Sequence, residues 1–147
     1  MKKNITLMLL LFCSLISTAT FAQNANAVLG KWINPSGEGQ IQIYKKENLF
    51  FGKLAWLKSP NDESTGQPKV DSKNPNASLR STPLLGLEIL KGFKHDGENV
   101  YEDGTIYDPK NGKTYSCKMT LDGNKLKIRG YIGISLLGRS EVWTRVK

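Results

Sequence analysis

From Thr114 to Ile132 the chain alternates apolar and polar residues with a period of two. Tyr115, Cys117, Met119 and Leu121 interleave with Thr114, Ser116, Lys118 and Thr120. Beyond Asp122-Gly123-Asn124, Leu126, Ile128, Gly130 and Ile132 interleave with Lys125, Lys127, Arg129 and Tyr131. This is the pattern of strands with one buried face, and a hairpin must keep both apolar faces on the same side. A two-residue turn at Asp122-Gly123 pairs Met119 with Leu126, Cys117 with Ile128 and Tyr115 with Gly130. A turn at Gly123-Asn124 preserves the same faces two residues out of that register. The same parity lets Ile41 and Ile43 face Phe50, Gly52 and Leu54 across the polar turn from Lys45 to Asn48. It puts Ile106 opposite Cys117 if Asn111-Gly112 joins the strand from Asp103 to Asp108 to the next.

Leu29 to Ile33, a stretch within Leu85 to Phe93, and Arg139 to Val146 complete a set of about eight strands in meandering order. The expected class is all-β: an eight-stranded antiparallel meander closed into a barrel, with an open β-sandwich as the alternative. Closure removes the edges that long antiparallel strands otherwise expose. One segment departs from the alternation. Lys58 to Thr82 is polar, contains Pro60, Pro68 and Pro75, and has neither a strand nor a helix period. A long loop over about 58–84 is expected, of the sort that serves as a functional lid or a disordered excursion, with Leu79, Leu84 and Leu85 packing it down. No internal repeat is visible.

The N-terminus has a different pattern. Lys2 and Lys3 precede an apolar run from Ile5 to Ile16 and a small-residue stretch from Ser17 to Ala22, the arrangement of a secretory signal peptide. Thr20-Phe21-Ala22 places small residues at −3 and −1, so cleavage is expected before Gln23, with Ala25-Asn26-Ala27 as a later alternative. Residues 1–22 are then the signal and 23–147 one domain. A twelve-residue apolar helix spans about 18 Å, short of a hydrocarbon core of about 30 Å, so no transmembrane segment is expected after cleavage. The expected location is outside the cytoplasm, periplasmic or extracellular.

The chain holds 21 Lys and Arg against 13 Asp and Glu, a formal charge of +8, of which Lys2 and Lys3 supply two. The remaining cations are scattered along the sequence. That favours a solvated basic surface touching an anionic envelope component over a nucleic-acid site.

For chemistry the sequence offers little. The single His95 lies in the turn-like Lys94-His95-Asp96-Gly97, and Cys117 falls on an apolar face, so neither reads as a nucleophile or base. Asp71, Asp103 and Asp108 could pair as acid and base, but Asp103 precedes Gly104, Asp108 precedes Pro109 and Asp71 lies three residues from Pro68 and from Asn74, surroundings in which carboxylates cap turns. No phosphate-cradling glycine motif or zinc-type ligand set is present, and no cofactor is expected.

Four stretches together carry a resemblance that runs from Gly30-Lys31-Trp32 to Trp143-Thr144-Arg145, nearly the entire mature chain. They are Asp71-x-x-Asn74-Pro75; Leu79-Arg80-x-x-Pro83-Leu84-x-Gly86-Leu87; Gly104-Thr105-Ile106-Tyr107-Asp108-Pro109-x-x-Gly112-Lys113-x-Tyr115; and Arg129-Gly130-Tyr131-Ile132-Gly133 leading to Gly138-Arg139-x-x-x-Trp143. The chain thereby resembles a bacterial exported family known as domain of unknown function 2147. The resemblance implies an envelope address and a fold, and no particular chemistry. An early Gly-x-Trp with a late Arg also resembles lipocalin-like barrels, where a Trp closes one end beneath an Arg. Here the pair would be Trp32 with Arg145 or Arg139.

The function expected from these features is binding of a small apolar or amphipathic ligand inside the barrel, lined partly by Ile43, Phe50, Leu54, Tyr115, Met119 and Ile128. The alternatives are a solid-core envelope interaction or stress-related structural protein, and a hydrolase with a carboxylate site. Arg80 is the expected polar contact, since a guanidinium can hold a carboxylate or phosphate bidentately. Pairing with Asp71 to pin the loop is the competing role. The candidate ligand-binding residues are Arg80, Asp71, Tyr115, Phe50 and Met119.

Overall fold

A computed structural model describes residues 24–147; the signal and cleavage site expected within 1–23 lie outside the described residues. Eight antiparallel strands run in chain order: β1 (Gly30–Ile33), β2 (Gly39–Lys46), β3 (Leu49–Leu57), β4 (Glu88–His95), β5 (Val100–Asp108), β6 (Lys113–Asp122), β7 (Lys125–Tyr131) and β8 (Arg139–Arg145). Each pairs with its sequence neighbour and β8 returns to β1, so the sheet is a closed barrel and not an open sandwich.

Two hairpin registers differ from the simplest expectation, each for a local reason. β6 and β7 pair Met119 with Ile128, Cys117 with Gly130 and Leu121 with Leu126, so the turn is Gly123-Asn124. The Asp122-Gly123 register would set Leu121 against polar Asn124; the observed one sets it against Leu126, and both leucines are buried. β5 and β6 pair Ile106 with Tyr115 and Gly104 with Cys117, across a four-residue turn from Pro109 to Gly112. A two-residue turn at Asn111-Gly112 would draw Pro109, which lacks an N–H, into the ladder. Ile41 opposite Leu54 and Ile43 opposite Gly52 are as expected.

The inward faces form one cluster in which Ile41, Ile43, Phe50, Leu90, Phe93, Met119, Leu126 and Ile128 are all buried. Glycine makes part of this packing possible. A Cβ on Gly104 would lie 2.4 Å from the Phe93 ring, so the ring occupies the space a larger side chain would take.

One end of the barrel is sealed. A 3-10 turn at Ala25–Val28 crosses it, and the Trp32 indole donates to the Val28 carbonyl at 2.9 Å. The Arg145 guanidinium lies 4.2 Å from the Trp32 ring and donates to the carbonyls of Leu29 and Ala27 at 2.9 and 2.6 Å. The expected cation–π pair is therefore Trp32 with Arg145; Arg139 sits at the far end of β8.

The long connection runs from 58 to 87, ending later than expected because β4 starts at Glu88. It is ordered by its own backbone bonds, not a disordered excursion. Bridges join Asn61 to Pro68 and Val70 to Pro83, and a 3-10 turn spans Ala77–Leu79. Leu84 packs on the core as expected, together with Leu87, but Leu79 and Leu85 are exposed. Among the described residues no helix is long and apolar enough to cross a membrane.

Candidate functional site

Strand direction gathers four connections at the end opposite the sealed one: 34–38, 58–87, 109–112 and 132–138. Beside this mouth, between the ends of β5 to β8, lies a cleft of about 610 Å³ lined by Asn111, Tyr115, Tyr131, Ile132, Leu137 and Arg139, with Asp108, Gly130 and Gly138 beneath. Two tyrosine rings and two aliphatic side chains wall it, and Asn111 donates to the Tyr115 hydroxyl at 3.0 Å. Arg139 is exposed and makes no ion pair among the described residues. A guanidinium beside an apolar wall can hold the anionic head of a molecule whose apolar part lies on the tyrosine and aliphatic side chains. Neither this cleft nor a smaller one of about 370 Å³ on the outer wall, between Asn99 and Val142, is lined by a buried core residue.

An ion pair crosses the mouth. Lys110, in the β5–β6 turn, donates to Glu38, in the β1–β2 turn, at 2.9 Å. In an eight-strand ring these two turns stand on opposite sides. The Lys110 ammonium holds the Glu38 carboxyl below its ordinary range, helped by Ser36, and the lysine is raised in return.

The long connection is fastened to the mouth through Asp71, which is fully buried. Its carboxylate accepts from the Tyr107 hydroxyl at 2.7 Å and from the Asn74 side chain at 2.7 Å, while its N–H donates to the Thr82 carbonyl at 2.8 Å. Burial first, then the bond to Asp71, pushes the Tyr107 phenol up to about 12, so it stays a donor throughout the neutral range. Nearby, Gly112 at φ 72° comes so close to the Lys73 carbonyl that a Cβ would stand 2.0 Å from that oxygen. The motifs Asp71-x-x-Asn74-Pro75 and Gly104 to Tyr115 therefore meet in space as the clamp that holds the loop to the β5–β6 hairpin.

The five sequence-predicted residues do not form one site. Phe50 and Met119 are buried in the core, and Asp71 is buried with both oxygens engaged. Arg80 is exposed and donates from Nε to the Asn74 carbonyl at 2.8 Å, thus reaching the Asp71 cluster through Asn74 and not directly. Only Tyr115 lines the cleft. Sequence reading passed over Asn111, Tyr131, Ile132 and Leu137 as site residues, and assigned Arg139 only to the sealed end. The available signal was the run Ile132-Gly133-Ile134-Ser135-Leu136-Leu137, which joins two strands with no charged residue where a turn is expected.

The residues considered for catalysis are engaged elsewhere. Burial pushes the Cys117 thiol up to about 12. His95 Nε2 lies 2.6 Å from the Glu98 carbonyl and its Nδ1 accepts from Gly97, which closes the β4–β5 turn. Asp103 pairs with Lys94 at 3.5 Å, and Asp108 accepts from the Lys110 N–H at 2.9 Å.

The fold is shared with a solved structure. Over 81% of this chain and 82% of the other, it superposes with a TM-score of 0.69 and 21% identity on protein HP1028 from Helicobacter pylori, described as belonging to the lipocalin family. No curated protein matches the sequence. The family described as "Uncharacterized protein conserved in bacteria (DUF2147)" matches residues 30–145.

Proposed function

Since the chain belongs to this bacterial family, DUF2147, and builds its matched residues into a lipocalin-like barrel, we propose that it binds a small apolar or amphipathic molecule in the cleft beside the open mouth. The observation that carries this reading is the cleft itself: about 610 Å³, walled by Tyr115, Tyr131, Ile132 and Leu137, with Arg139, which makes no ion pair among the described residues, at its edge. The volume lies in the range of small-molecule sites. An eight-stranded barrel either fills its interior with side chains or holds one small ligand there. Here Phe50, Phe93, Met119 and Ile128 occupy the interior, and that supports moving the binding place from the core to the mouth. The leader-like series Lys2-Lys3, Ile5 to Ile16 and Thr20-Phe21-Ala22 supports action outside the cytoplasm.

The test is titration with anilinonaphthalene sulfonate, an anionic amphiphile, followed by displacement with a long-chain carboxylate. Saturable binding is expected, weakened about tenfold or more in Arg139→Gln by loss of a charge-assisted hydrogen bond. Failure of the probe to saturate, or equal affinity in Arg139→Gln, overturns the reading.

A further inference from the structure

The β7–β8 turn is the most exposed apolar segment among the described residues. Ile132, Ile134, Leu136 and Leu137 are 74%, 59%, 83% and 79% exposed, although none has a polar group to offer water. Isolated exposed leucines are ordinary on a protein surface, but four branched aliphatic side chains on one projecting turn form a patch that asks for a partner. Ile134 and Leu136 do not line the cleft, so ligand binding there leaves them uncovered.

Along the chain, the charges flanking this turn are of one sign up to Ser140. Between Gly123 and Ser140 stand Lys125, Lys127, Arg129 and Arg139, with no acidic residue. Because Leu126 and Ile128 point into the core, alternation sends Lys125, Lys127 and Arg129 to the outer wall of β7. Lys118 joins them there, opposite Arg129 on β6. Arg129 donates to the Leu136 carbonyl at 3.1 Å and to the Ser140 hydroxyl at 2.8 Å, which fastens the apolar turn to this cationic wall. The acids that border it stand at its margins. Asp122 faces Lys125 on the outer wall at the sealed end of β6, the end farthest from the apolar turn. Asp108 lies in the cleft and accepts from the Lys110 N–H at 2.9 Å, and Glu141 is opposite Ile128 on the inward register of β8, where it accepts from the Trp143 indole at 2.5 Å.

We propose that this edge of the barrel docks on an anionic lipid surface, with the 132–138 turn entering the acyl boundary and the outer wall of β6 and β7 lying against the headgroups. Aliphatic tips beside a band of lysine and arginine suit the bilayer interface, where the tip leaves water and the cations meet negative lipid. A second copy of the chain fits the same edge poorly, because a self-complementary contact would set this cationic wall against itself. The inference is independent of cleft binding and goes beyond it.

The test is co-sedimentation of the purified protein with vesicles of mixed phosphatidylglycerol and phosphatidylcholine, and with vesicles of phosphatidylcholine alone, at low and high salt. The expected result is retention on the anionic vesicles that falls as salt rises. The double variant Ile134→Asp/Leu136→Asp should bind them at least about tenfold more weakly, and Lys125→Glu/Lys127→Glu should lose the preference for anionic lipid. All four positions are exposed, and an unchanged near-ultraviolet spectrum from the buried Trp32 and Trp143 verifies that the variants fold. Anilinonaphthalene sulfonate binding in the cleft should persist in Ile134→Asp/Leu136→Asp, which separates this proposal from the preceding one. No retention on anionic vesicles, equal retention of Ile134→Asp/Leu136→Asp, or a concentration-dependent dimer abolished by that variant would each overturn the proposal.

Discussion

Replacing Tyr107 by Phe removes one atom from the clamp on the long connection and nothing from its shape. The phenol donates at 2.7 Å to a carboxylate oxygen of Asp71, a residue with 0% exposure. In the variant the ring remains, the Asn74 side chain still serves the other oxygen, and the first oxygen is left buried without its donor. Hydrogen bonds to charged groups contribute about 1.5–3 kcal/mol, and a buried acceptor left unsatisfied places the loss in the upper part of that range. If the whole barrel registers it, the melting temperature falls by roughly 5–12 °C. The cost should concentrate in the 58–87 connection, whose attachment depends on Asp71 and on the close approach of Lys73 to Gly112. Lowering the opening free energy by that amount raises the open population at least about tenfold. Limited trypsin digestion reads this directly, because Lys69, Lys73 and Arg80 lie within the segment and cleavage follows the open population when reclosing is fast. The expected result is cleavage at these sites at least about tenfold faster in Tyr107→Phe. Arg80→Ala, which removes one exposed bond to the Asn74 carbonyl, should accelerate it less. Digestion and melting unchanged from wild type in Tyr107→Phe would refute the assignment of Asp71 and Tyr107 as the clamp.

The barrel register and the alkaline limb of stability give two further expectations. Ile128→Asp puts a carboxylate on the buried face between Met119 and Glu141, and should lower stability by about 3 kcal/mol or more in urea melts. Lys127→Asp, one residue away on the outer wall, should stay within about 0.5 kcal/mol, and equal costs would contradict the inward and outward assignment. Burial raises the Cys117 thiol from an ordinary 9.0 to about 12. Above the unfolded value the unfolded chain releases this proton while the folded chain keeps it, so stability falls as pH rises, by up to about 1.4 kcal/mol per pH unit. Cys117→Ala should flatten the fall in urea midpoints above about pH 9; an unchanged slope would mean that the thiol is not the buried group responsible.

Much of the barrel could be read before any coordinates because its information is local and periodic. Alternation at Tyr115 to Leu121 and at Leu126 to Ile132 fixes which side chains face inward, and parity alone excludes every odd register slip. Even slips leave the faces intact, so the choice between the Asp122-Gly123 and Gly123-Asn124 turns awaited the pairing of Leu121 with Leu126. Pro109, with no N–H, was a local signal for the longer β5–β6 turn that the Asn111-Gly112 pair obscured. The sealed end came only through the resemblance to lipocalin-like barrels that the Gly-x-Trp and the late arginine carry, and only the closed ring chooses Arg145 over Arg139 by bringing the end of β8 beside β1.

The mouth was not legible in the same way. Arg80 and Asp71 are near in sequence, yet the fold joins them only through Asn74 and turns Asp71 toward Tyr107, 36 positions away. Tyr115, Tyr131 and Arg139 are separated along the chain and become neighbours only because β5 to β8 end at the same rim. Strand periodicity fixes the side of the sheet on which a residue lies, since that depends on its immediate neighbours. Which residues share a cleft, a clamp or an ion pair across the mouth depends on ring closure and on where each connection docks, and those contacts are made between segments that no local pattern relates.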